Sequence, residues 1–386
     1  MIYLLLLLLI VYFVSVYDLK RNFSFSYKRR SFVFLGIFIT LVAGLRFYVG
    51  ADTANYVNDF KNNIPTLSSL NLMTFSYSRY RPGFLFLASF AKTIWPNFLL
   101  LQLIVACISN FLIFRFIWKR TSYPFICVLF YFILNFIEFN FEVMREVVAI
   151  AFALTALEYY EGRKYIKALI LCIFANLMHA SAIIIIAYPF ASKIRYSRKL
   201  VIITAILAFS VISLYKILPD FSVYVDLLFG YGSYGERYLS REVNQDYNIN
   251  YYLFLFTKYC FIPLMLLAIV KHKYKYAGFV SIWIVLGILS LYSYAFYRFN
   301  NYFSPFIWLL YAEGIRTICA KFFTIKRGIL ILATTSFLYI YQRGILSIDE
   351  YHGGYPIYER YFPYEMVGLN RDYVSNYSKY IVRQGD

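Results

Sequence analysis

Apolar runs of about twenty residues recur along this chain, parted by short clusters of lysine and arginine. That pattern leaves few folds open. In lipid a backbone N–H or C=O finds no water, so a helix or a closed barrel must satisfy it. The runs lack the residue-by-residue alternation that a barrel strand needs. The chain is 61% hydrophobic, against about 45–50% in soluble domains. We read an all-α, polytopic membrane protein of about twelve transmembrane helices. The first run, "MIYLLLLLLIVYFVSVY", has no basic start and no small-residue cleavage site, which fits a spanning helix better than a removed signal peptide.

Charge orients these spans. Lysine and arginine total 38 against 20 acids, a net charge of +18. Most of the excess reads as cytoplasmic loop charge under the positive-inside rule. Basic loops 20–30, 271–275 and 321–327 are placed inside. A polar loop 46–81, a second loop 219–250, the N-terminus and the tail 342–386 then face outside. The transmembrane domain is 1–341. The piece "RPGFLFLASFAKTIW" either spans or dips in and returns. If it returns, "WKR" and "EGRKYIK" both fall inside, which the charge bias favours. The run 165–190 then crosses twice, with His179 at its turn.

Polar groups at membrane depth are expensive and default to site candidates. In "EFNFEVMREVVAIAF" the spacing predicts that Glu138, Glu142, Arg145 and Glu146 share one helical face. They are either an interfacial helix end or a polar stripe that presents Arg145 to an anion. In "NLMHASAIIIIAYPF", His179 stands three residues after Asn176 among small residues, either packed or poised to carry a proton. In "YSYAFYRFNNYF", Arg298 precedes Asn301 and Tyr302, either snorkelling or facing a site. In "GLRFYVGADTANY", Arg46 ends a span, and Asp52 and Tyr56 lie one turn apart if a helix is N-capped at Asp52. Arg81 in "SRYRPGF" joins the arginine set. Arginine stays charged in a dry site and grips phosphate oxygens in pairs. Arg46, Arg145, Arg298 and Arg81 therefore suit a lipid-linked phosphate or diphosphate, with aromatic loops for sugar rings. Five scattered cysteines suggest neither a disulfide framework nor a metal site.

The motifs "GLRFYVGADTANY", "RPGF", "MREVVAIAF", "MHASAIIIIAYPF" and "YRFNNYF", in this order over about residues 40–305, resemble the EpsG family of polysaccharide-biosynthesis membrane proteins, related to Wzy-type O-antigen and capsule polymerases. Arg46, Gly50, Asp52, Thr53, Tyr56, Arg145, Ala149, His179 and Ser181 stand where that family has its polar signature. Two positions depart: Arg81 where relatives often carry Glu, and Glu146 where they often carry Gln.

The resemblance implies a glycosyltransferase-type polymerase in the bacterial cytoplasmic membrane. It would join undecaprenyl-diphosphate-linked oligosaccharide units en bloc at the outer face, making O-antigen, capsule or exopolysaccharide. His179, Glu142, Glu146 and Asp52 become the catalytic candidates. Arg46, Arg145, Arg298 and Arg81 hold diphosphate, while Tyr56, Asn301 and Tyr302 meet sugar. No metal or other cofactor is required. The implied partners are the lipid-linked oligosaccharide, the bilayer, a flippase and a chain-length regulator, and no nucleic acid. Two rival classes remain: a lipid-linked oligosaccharide flippase or other transporter, and a membrane sugar acyltransferase, for which a lone membrane histidine is the usual mark.

Overall fold

A computed structural model describes residues 2–19, 24–50, 52–215, 254–271, 274–290, 294–322, 348–349, 355–362, 364 and 366. The loop expected at 219–250 and the span expected at 328–341 lie outside them. The described chain is all-α apart from a two-residue antiparallel pair, β1 (Ile348–Asp349) with β2 (Tyr355–Pro356). Among the described residues, Ile2–Leu19 and Phe98–Arg120 are long and apolar enough to cross a membrane; the other apolar helices are shorter. The chain divides into two compact units, Met1–Ala180 with Phe322–Asp386, and Ser181–Lys321.

In the first unit, α1 (Ile2–Phe13, continued by a π turn to Leu19), α2 (Phe25–Gly44), α6 (Phe98–Arg120), α7 (Pro124–Leu134), α8 (Met144–Glu161) and α9 (Tyr165–Met178) are the principal helices. Between α2 and α6 lie α3 (Thr53–Asn62), α4 (Leu72–Tyr77) and α5 (Pro82–Ile94). One end of this unit is basic. There Lys28 pairs with Asp18 at 2.8 Å and donates to the Ser122 carbonyl at 2.9 Å. Arg115 pairs with Glu158 at 3.0 Å, and Arg120 pairs with Glu161. Asp18 also accepts from the Ile126 N–H at 2.9 Å, so a carboxylate caps the start of α7 where the helix dipole favours it. "WKR" and the start of "EGRKYIK" thus gather beside residues 18–30.

The short α5 is anchored at both ends. Tyr80, just before it, donates to Asp59. Near its other end Lys92 donates to the carbonyls of Phe60, Lys61 and Ile64 at 2.7, 2.9 and 2.7 Å. Thr93 accepts from the Leu67 N–H at 2.9 Å. Both ends of α5 are therefore tied to residues 59–67.

Between the two ends, a closed hydrogen-bond ring joins α6 to α7 and its continuation. The Tyr131 hydroxyl donates to Asn110 at 2.8 Å, Asn110 to Asn140 at 2.8 Å, and Asn140 to Tyr131 at 2.7 Å. All three residues are buried, and the ring satisfies the polar atoms it joins. It also pins the π turn Glu138–Glu142. Here one expectation is corrected. The four charged residues of "EFNFEVMREV" do not share a face of one helix. Val143, at φ −101° and ψ 49°, breaks the chain, so Glu138 and Glu142 belong to the π turn and Arg145 and Glu146 to the first turn of α8.

The second unit contains α10 (Tyr188–Lys193), α11 (Arg198–Tyr215), α12 (Ile262–Val270), α13 (Ala277–Leu289), α14 (Tyr294–Asn301) and α15 (Ser304–Phe322). Its core is aromatic: Phe279 stacks on Phe306 with centroids 3.9 Å apart, and Tyr188 meets Phe279, Phe303 and Phe306 edge-on.

Candidate functional site

The opposite end of the first unit is built around the close of α2. A helix leaves its last four carbonyls without partners. Here each finds one. Leu41 accepts from the Leu45 N–H at 2.9 Å, Val42 from the Tyr364 hydroxyl at 2.7 Å, Ala43 from Arg46 Nη1 at 2.5 Å and Gly44 from Gln102 Nε2 at 2.8 Å. Arg46 Nε also donates to the Val49 carbonyl at 3.1 Å, so its side chain folds back over its own turn. That turn is tight. Tyr48 is left-handed at φ 49° and Gly50 sits at φ 110°. A Cβ on Gly50 would lie 2.8 Å from the Phe141 carbonyl oxygen, so the position needs glycine on two counts.

Arg46 is only 2% exposed, and its guanidinium lies over the Phe141 ring, 4.9 Å from the centroid. It makes no ion pair among the described residues, and Nη2 has no hydrogen-bond partner. Burial pulls its pKa down to about 10, an effect partly offset by the nearby hydroxyls of Tyr364, Tyr3 and Tyr56. A buried cation with a donor left over is costly unless an anion completes it.

The C-terminal segment closes this end. The Gly50 N–H donates to the Arg360 carbonyl at 2.9 Å, and Arg46 forms an antiparallel bridge with Met366. Tyr361 donates to Glu142. Tyr3 packs edge-on against Phe362 and Tyr364, with centroids 5.0 and 5.7 Å away. Burial raises the Tyr364 phenol to about 12, against the opposing charge of Arg46.

Arg145, on the first turn of α8, donates from Nε to the Tyr56 hydroxyl at 3.3 Å. Its guanidinium lies 5.9 Å from the Tyr56 ring centroid and 5.0 Å from that of Tyr80. Those rings stack 18° from parallel. Tyr80 is held by Asp59, which also pairs with Arg79 and accepts from Asn63 at 2.8 Å. Burial, and then the bond to Asp59, push the Tyr80 phenol well above its usual range. Tyr56 therefore touches Arg145 and lies within electrostatic reach of Arg46, so two of the expected arginines meet at one tyrosine.

The remaining candidates divide. Asp52 immediately precedes α3 as expected, but its side chain makes no capping bond; Thr53 instead donates to the Val49 carbonyl at 2.8 Å. Asp52 is half-buried, and Glu146 is buried. Arg81 is exposed at the start of α5. His179 closes α9 in an extended conformation at φ −150° and ψ 137°. α8 and α9 form an antiparallel hairpin, with Phe152 against Phe174, which returns His179 to the end that carries Arg145. In the second unit, Arg298 is half-buried on α14. Asn301 is 3% exposed and Tyr302 is 0% exposed. Tyr302 accepts from Ser181 at its hydroxyl and from Tyr188 at its carbonyl, at 3.2 and 2.6 Å. Sequence reasoning missed Asp59, Tyr80 and the tail tyrosines. Tyrosine recurs 41 times, which hides the few that matter.

Residues 29–366 match the family model described as "EpsG family", a span that contains Arg46, Arg145, His179, Arg298 and the closing tail segment up to Met366. No curated protein and no solved structure matches the chain.

Proposed function

The chain belongs to the EpsG family, a Wzy-type polysaccharide polymerase family, and from that premise we propose that it joins undecaprenyl-diphosphate-linked oligosaccharide units at the outer face of the bacterial cytoplasmic membrane. The basic end of the first unit faces the cytoplasm and the Arg46–Arg145 end faces out. About twelve crossings, several by short or broken helices, make up the membrane domain. The donor chain passes en bloc to a hydroxyl of the next unit. That hydroxyl oxygen bonds to the anomeric carbon, the bond from that carbon to the diphosphate breaks, and its electron pair leaves with undecaprenyl diphosphate. The hydroxyl proton goes to a base.

The observation that carries this reading is Arg46: a buried cation, unpaired among the described residues, with one donor to spare. A diphosphate supplies the missing anion and gains charge as it leaves, so donors already fixed in place stabilise the transition state more than the ground state. Arg145, on the first turn of α8 and lying over the Tyr80 ring beside Tyr56, adds a second cation. Glu142, Asp52, Glu146 and His179 supply candidate bases. Arg81 serves the approach to the site, and Arg298, in the second unit, stays a candidate for binding diphosphate. Tyr56 keeps a sugar-side role, whereas Asn301 and Tyr302 are buried in the second unit and read as packing residues there. A flippase delivers the units and a chain-length regulator limits the product.

The test is elongation by the purified protein in detergent, given lipid-linked units alone. The expected product is a ladder of lengthened lipid-linked saccharide with release of undecaprenyl diphosphate. A protein that moves the units without lengthening them is a transporter. One that modifies them only when given an acyl donor is an acyltransferase.

A further inference from the structure

Between α2 and α6 the first unit carries a groove of about 830 Å3 that the site above does not use. Its walls are apolar, with Val33, Ile37 and Phe111 all more than half exposed along it. On its floor the two helices touch, where a Cβ on Gly36 would lie 2.9 Å from the Phe114 ring. From Arg29 to Leu41 the helix advances about 18 Å, close to the roughly 15 Å of hydrocarbon in one leaflet. The groove is therefore one acyl chain deep rather than a full crossing.

Its two ends differ. The Thr40–Leu41 end has no charged lining residue, whereas the other end is lined by Arg29, Arg115 and Lys119 beside Trp118. Arg115 and Lys119 both lean on Glu158, the first at 3.0 Å. One carboxylate cannot neutralise two cations. Arg29 is exposed and makes no ion pair among the described residues. Three cations thus face one carboxylate at the mouth of a hydrocarbon-lined slot, on the side of the basic loops. In the orientation proposed above, on which this inference rests, that side is the cytoplasmic leaflet, the anionic one.

We propose that this groove is a binding site for an anionic glycerophospholipid, with its phosphate at Arg29, Arg115 and Lys119 and an acyl chain lying along α2 and α6. A zwitterionic lipid brings its own cation towards three others. A polyprenyl diphosphate bound at Arg46 would enter from the end of the groove that carries no charge. The bound lipid would brace α2, whose far end carries the Arg46 turn.

The experiment uses full-length purified protein in detergent, with unfolding temperature and lipid retention in native mass spectrometry as readouts. Phosphatidylglycerol should be retained and should raise the unfolding temperature, while phosphatidylcholine should do neither. Arg29→Gln, an exposed change that leaves the Glu158 pairs intact, should weaken phosphatidylglycerol binding about fivefold, the effect of one basic group beside an anionic surface. Ile37→Trp should fill the slot and remove the response. Equal stabilisation by both lipids would overturn the proposal in favour of unspecific bilayer contact, and so would an undiminished response in Arg29→Gln. Preferential retention of undecaprenyl phosphate would assign the groove to substrate instead. A dimer that excludes added lipid would assign it to a second copy. None of these readouts depends on polymer synthesis.

Discussion

The two ends of the first unit use arginine in opposite ways. At the basic end, Arg120 meets Glu161 and Arg115 meets Glu158, a carboxylate it shares with Lys119. At the other end, Arg46 is buried deeper than either, yet it rests on an aromatic face and backbone carbonyls. Arg145 lies over the Tyr80 ring and beside that of Tyr56. Carbonyls and ring faces orient a guanidinium without cancelling its charge. A carboxylate orients it and cancels it. The difference separates arginines answered by a carboxylate of the protein from Arg46, which keeps its charge for an anion.

The largest expected effect comes from removing the second kind. Arg46→Ala or Arg145→Ala should lower polymerisation about 30- to 1,000-fold, the loss of roughly 2–4 kcal/mol of transition-state stabilisation. Lipid-linked single units should accumulate while the protein stays in the membrane. Arg46 also closes α2, so Arg46→Lys is the companion: it keeps the charge but loses the planar paired contact, and should recover activity only in part. Normal chain-length ladders from both alanine variants would erase the contrast between the two ends.

Next in size is Gly50→Ala. A left-handed φ and a backbone oxygen 2.8 Å from the new methyl should cost about 1–3 kcal/mol and loosen the Arg46 turn. The check is a thermal unfolding curve beside the polymer ladder. An unchanged curve would mean that the turn has another low-energy form.

Tyr80→Phe sharpens the comparison within the site. It keeps the ring beside Arg145 but removes the hydroxyl that Asp59 accepts from. About 1–2 kcal/mol of stability should go. Activity should fall several-fold, with the fall recovered at high substrate, because Arg145 is less well fixed rather than absent. A loss as large as that of Arg145→Ala would give the Tyr80 hydroxyl a direct part in the reaction.

The smallest effect belongs to the paired end. Arg120→Gln leaves Glu161 partly exposed and free to hydrate, so it should cost about 1 kcal/mol or less and leave chain length unchanged. A collapse of polymer length there would mean that the paired arginines also serve the substrate.

The helical class was legible because hydrophobic run length is a local property. Arg46, Arg145 and His179 stood out because polar groups beside apolar runs are rare. The break at Val143 was not legible, since apolar periodicity passes through a π turn unchanged. Asp59 and Tyr80 were hidden for a different reason: each looks like an ordinary loop residue until the fold brings positions 21 apart into one hydrogen bond. The closing tail was the least visible. Tyr361 and Tyr364 reach Glu142 and Val42 across 219 and 322 residues of chain, and no local pattern encodes such a contact.

The central claim is that the Arg46–Arg145 end binds the diphosphate of the lipid carrier. The most direct measurement is the affinity of purified protein in detergent for undecaprenyl diphosphate, the leaving group itself, in wild type, Arg145→Ala and Arg120→Gln. The account predicts saturable binding by wild type and by Arg120→Gln, weakened about tenfold or more in Arg145→Ala by the loss of one charge-assisted contact. Equal affinity in all three proteins would contradict it.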